Sequence, residues 1–177
     1  DNYLSRLIDK GYHVAICEQM GDQPEKGIFP RQVIRVVTPG TVVDPGLLPG
    51  DANNYLAALV VDGNQAGISY VDITTGEFAS TELDTGSDLV PVRAELSRLH
   101  PAEIIHPDDL ILPNGIPGQL TKLPAWRFEP GKCQSMLLTH FQVTTLSGFG
   151  LAEKPLAVRA AGGILQYLKD TEPSALN

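Results

Sequence analysis

Cysteine is scarce: Cys17 and Cys133 are the only two in 177 residues, far apart and without metal-type spacing. That excludes a disulfide scaffold and a cysteine-based zinc site, and it predicts two buried, reduced thiols in a cytosolic protein. Long apolar runs are missing too, so no segment predicts a membrane span. The opening, DNYLSRLIDKGYHVAICEQ, lacks a basic stretch and a small-residue cleavage site and does not read as a secretion signal. Basic charge is short: 13 Lys and Arg face 21 Asp and Glu, for a net charge of −8. The deficit lies between residues 41 and 145, where five basic residues meet thirteen acidic ones. An acidic module repels a phosphate backbone, so the middle of the chain is a poor candidate for gripping duplex DNA.

Catalytic signatures are also missing. Histidines 13, 100, 106 and 140 make no HExxH and no close pair. Gly131-Lys132 has no upstream glycine for a phosphate loop, and Gly148-Phe149-Gly150 leads into Glu153 rather than a dinucleotide fingerprint. No serine or cysteine nucleophile motif is visible. The single tryptophan, Trp126, reads as a core residue.

What is present centres on residues 54–83. Residues 55–61 are a β-rich apolar run suited to a strand covered on both faces, followed by turn chemistry at Asp62-Gly63-Asn64-Gln65. A second strand over 67–73, a turn at Thr74-Thr75-Gly76 and a third strand over 77–83 complete an antiparallel meander. Upstream, residues 2–10 predict a helix end, 14–17 a short buried strand and 31–37 a second strand. The chain reads as a fragment that opens inside a domain. Three Pro-Gly pairs in residues 38–53 predict a linker over the surface.

Downstream, 87–99 predicts a helix capped by Ser87 or Asp88, with Leu89, Val92, Leu96 and Leu99 inward. A strand follows at 102–106 and irregular chain at 108–123. A short strand at 126–128 precedes a helix at 131–141 with Cys133, Met136, Leu137 and Phe141 inward, and 142–155 reads as a second joint. A helix over 156–168 carries Gly162-Gly163, costly unless another helix packs closely; its expected partner lies beyond residue 177. The order predicts an α/β fold: a ribonuclease H-like mixed sheet of three antiparallel strands, then alternating helix and strand, with flanking partial domains.

Such a sheet invites a search for acids that hold divalent metal. Asp62 and Glu77 sit at strand ends, Glu82 lies on the third strand, and Glu103 starts a later one. Asp72 lies within the second strand, and it reads as a turn anchor or solvated residue. A metal-dependent nuclease and a free-standing acidic adaptor remain the alternatives to a non-catalytic use of the scaffold.

The segments VAICEQMGD (14–22), RVVTPGTVVD (35–44), DITTGEF (72–78), ELSRLHPAEII (95–105) and GFGLAE with AAGGILQYLKDT (148–171) resemble the MutS DNA mismatch-repair proteins. The resemblance implies the end of a mismatch-recognition domain at 1–37, a linker at 38–54 and a connector domain at 55–143. It further implies a second linker at 144–155 and the first helix of a core domain at 156–177. It implies a cytoplasmic, homodimeric parent that binds mismatched duplex DNA, uses ATP and Mg²⁺ and recruits MutL. No cofactor is expected in this fragment, and no catalytic or metal residue carries over. The family's Phe-x-Glu reading motif has no counterpart in these residues. Lys26 and Arg31 are the DNA-proximal candidates; Lys132, Gln134 and Ser135 are the candidates for a partner surface.

Overall fold

The computed structural model describes residues 2–21, 28–44, 46–48 and 52–176. A short helix, α1 (Asn2–Ile8), leads into an antiparallel hairpin of β1 (Val14–Gln19) and β2 (Arg31–Val37). Its burial is partial, so the strand at 14–17 is not the buried one expected, and Cys17 is exposed. Ile8, Val37 and Val42 form a small core there, with Leu4, Val14 and Ile16 against it.

The meander forms as its turns dictate. Strands β3 (Tyr55–Asp62), β4 (Gln65–Asp72) and β5 (Glu77–Asp84) pair antiparallel in continuous register. Asp72 anchors the second turn: its carboxylate accepts the Thr74 and Thr75 N–H groups, the Thr74 hydroxyl and, at 3.3 Å, the Asn54 N–H. A 3₁₀ turn (Ser87–Leu89) and helix α2 (Val90–Leu99) lead to β6 (Glu103–Pro107), which lies parallel to β3. Neither Ser87 nor Asp88 caps α2; Asp88 and Leu89 turn left-handed at φ 52° and 56° and the helix starts after them.

Two further expectations are corrected. The region taken as irregular contains β7 (Gln119–Leu123), an edge strand parallel to β6, and 126–128 lies in a 3₁₀ turn (Ala125–Phe128) rather than a strand. The resulting five-stranded mixed sheet has the order β5-β4-β3-β6-β7. A strand's side chains alternate between faces, so β3 feeds two cores. Ala57 and Leu59 meet Val92, Leu96 and Leu99 of α2, whereas Leu56, Ala58 and Val60 face the last helix.

That last helix, α4 (Pro155–Thr171), corrects the largest expectation. It has a partner within the chain: it lies on the sheet beneath α3 (Pro130–His140), buried from Leu156 through Leu168 apart from Arg159. The glycines explain the fit. A Cβ on Gly67 would sit 2.1 Å from the Leu156 carbonyl carbon, and one on Gly162 would sit 2.3 Å from Cys133 Cβ. The close neighbour required by Gly162-Gly163 is α3 on one side and the Phe128 ring on the other. Glu82 of β5 closes the helix start by accepting the Leu156 and Ala157 N–H groups at 2.8 and 3.1 Å. The segment between α3 and α4 is likewise no open joint, since Leu146 is buried and the Phe149 and Phe141 rings lie 5.2 Å apart.

Candidate functional site

Glu103 opens β6, an interior strand between β3 and the edge strand β7, and is fully buried. A buried charge is tolerable only with donors around it, and four segments supply five. The Thr38 hydroxyl donates to Oε2 at 2.5 Å and the Gly40 N–H at 3.0 Å, both from the turn that follows β2. Oε1 accepts the Thr121 hydroxyl of β7 and the Tyr167 hydroxyl of α4, each at 2.7 Å. His13 Nε2, just before β1, lies 3.2 Å from the same oxygen. Burial pushes the Glu103 carboxyl up, but the donors, led by His13, outweigh it and leave it below its ordinary value. The same hydrogen bond raises His13, against a smaller opposing effect of burial.

One carboxylate therefore joins the hairpin, the turn after it, both parallel strands and α4. The turn itself (Pro39–Thr41) is buried, so the linker does not begin on the surface as expected. A second tie runs from Arg35 of β2 to Glu172, just past α4, at 3.4 Å. Sequence reasoning placed Glu103 only as an acid at a strand start; the available signal was a glutamate leading the apolar run Ile104-Ile105.

Lys26 lies outside the described residues, while Arg31 is exposed at the start of β2, paired with Gln19. Lys132, Gln134 and Ser135 are all exposed on the first turns of α3. Lys132 and Ser135 border a cleft of about 660 Å³ with Met136, Leu165, Lys169 and Leu176. Trp126 is not core: it is 56% exposed, with Lys132 Nζ 4.2 Å from its ring centroid.

No phosphate cradle forms at Gly131-Lys132, because both N–H groups already donate to the Glu129 carboxylate, at 3.0 and 2.6 Å. Among the described residues no group of three or more His, Cys, Asp or Glu side chains could hold a metal ion. No helix there is long and apolar enough to cross a membrane.

The fold and this junction define a two-part segment: a hairpin unit fastened to a mixed α/β body. Comparison with known proteins gives the parts their place. The family model for MutS domain I matches residues 1–45, and that for MutS domain II matches residues 54–177. A DNA mismatch repair protein MutS of Dehalococcoides mccartyi is 46% identical over 99% of the chain, which spans 20% of that relative. The MutS of Thermosynechococcus vestitus is 41% identical and that of Chloroflexus aurantiacus 35%, each over 97% of the chain and 21% and 24% of the relative. The chain belongs to the MutS family of DNA mismatch repair proteins, with residues 1–45 matching its domain I and residues 54–177 its domain II.

Proposed function

We propose that this chain is the connector of a mismatch-repair protein together with the end of its mismatch-recognition domain, a spacer that passes movement between the two and performs no reaction itself. The observation that carries this reading is the Glu103 junction, where the segment matching domain I and the body matching domain II share one buried carboxylate. The sheet order, with two parallel strands beside an antiparallel meander, supports a ribonuclease H-like body. The buried acids support a non-catalytic use of it: Asp72 holds a turn and Glu103 a joint, which leaves neither free to coordinate a metal. Since α4 lies in the body's core, the connector on this reading runs through α4 instead of stopping at residue 143.

The full-length protein supplies the rest. It is proposed to be a cytoplasmic homodimer that binds mismatched duplex DNA, with Lys26 and Arg31 on the DNA-proximal side. ATP and Mg²⁺ act in a part of that protein beyond these residues. Lys132, Gln134 and Ser135 form the proposed surface for MutL, beside the cleft between α3 and α4.

The test is recruitment of MutL to mismatched DNA by the full-length protein carrying Lys132→Glu and Ser135→Glu. Recruitment should be lost while mismatch binding persists; unchanged recruitment removes the surface assignment. Cleavage of nucleic acid with Mg²⁺ or Mn²⁺ that disappears in Asp72→Asn would overturn the non-catalytic reading.

A further inference from the structure

We propose that His13 and Glu103 form a proton-gated latch that sets how firmly the N-terminal hairpin is held on the α/β body. His13 belongs to the hairpin unit and is about one-third exposed, so it can exchange protons with solvent. Glu103 belongs to the body and is closed off from solvent. The latch is thus a buried, fully solvated-by-protein anion on one side and a titratable donor on the other.

Every other polar partner of the junction is fixed in charge near neutrality. Facing His13 are Glu103 from β6, the Thr121 hydroxyl from β7 at 3.5 Å and Tyr167 from α4, whose ring lies 6.5 Å away. Burial, then the Glu103 charge, drives the Tyr167 phenol far above its ordinary value, so it stays protonated. Arg35 of β2 is paired with Glu172 beyond α4, at 3.4 Å and away from His13. His13 is the group whose charge changes near neutrality.

The direction follows from linkage. His13 is raised in the folded state, so its contribution is complete below the ordinary histidine value of 6.5 and is lost as pH rises through the raised value. Glu103 is lowered, so its contribution is complete above the ordinary 4.5 and is lost only as pH falls through the lowered value. The hairpin is held most firmly between those limits and loosens on the alkaline side. This deepens the spacer reading by naming what regulates its junction. The test needs neither DNA nor MutL, so its failure leaves that reading standing.

Hydrogen exchange of the intact protein, followed by mass spectrometry from pH 5.5 to 8 and corrected for intrinsic rates, reads the latch directly. Peptides from β1 and β2 should lose protection as pH rises, while peptides from β3 and β4 keep theirs. In His13→Gln that pH dependence should vanish, leaving the hairpin at its alkaline level of protection throughout. Glu103→Gln should abolish it as well; if that variant does not fold, the histidine variant still decides. Hairpin protection that is independent of pH in the unaltered protein, or equally dependent in His13→Gln, overturns the latch.

Discussion

The α/β body and the hairpin solve the burial of apolar strands in opposite ways. In the body, β3 presents Leu56, Ala58 and Val60 to α4 and Ala57 and Leu59 to α2, and all five are buried. In the hairpin, Val33 and Ile34 are 50% and 41% exposed, and Tyr3 on the adjoining helix is 81% exposed. Two helices complete the body's core from within the chain. Among the described residues the core beside the hairpin is Ile8, Val37 and Val42, and polar ties at Glu103 and Arg35 hold the hairpin to the body. Apolar contact is short-ranged and insensitive to pH, whereas a charged hydrogen bond follows the protonation of its donor. Rigidity belongs to the first region and adjustability to the second.

Perturbing the body should have the largest effect. Phe128→Ala removes a fully buried ring that fills the space beside Gly163, and should cost about 3–5 kcal/mol in urea unfolding of the whole chain. Gly67→Ala drives a methyl group into the backbone of α4 at Leu156 and should cost about 1–3 kcal/mol in the same measurement. Glu82→Ala leaves the first N–H groups of α4 without their carboxylate. It should cost about 1 kcal/mol and first speed hydrogen exchange at Leu156 and Ala157.

Arg35→Ala should have the smallest effect. Its pair with Glu172 is about one-third exposed on the arginine side, so the loss should be at most about 1 kcal/mol. It should raise exchange in β1 and β2 alone. If Arg35→Ala lowered global stability as far as Phe128→Ala, the two regions would be one cooperative unit and the contrast between them would fail.

The meander was legible because its signals are local. Apolar runs interrupted by Asp62-Gly63-Asn64-Gln65 and Thr74-Thr75-Gly76 leave few alternatives to three paired strands. Helix α3 and the inward placement of Cys133 and Leu137 followed from spacing in the same way. Strand β7 was missed because an exposed edge strand such as QLTKL carries little apolar alternation and is defined by its pairing to β6. Trp126 was misplaced because a large aromatic side chain is usually core, and nothing local showed that Lys132 would lie over its ring.

The antiparallel meander, the helix periods, the acidic middle and the family motifs were all determined by the amino-acid sequence alone, since each depends on neighbours a few residues apart or on composition. Only the tertiary structure decided where α4 rests and what Glu103 does. The glycine pair required a close neighbour without saying which. The donors around Glu103 come from 64 residues away at Tyr167 and 65 at Thr38, a separation that leaves no periodic trace in the chain. A buried carboxylate takes its role from the groups that the fold carries to it.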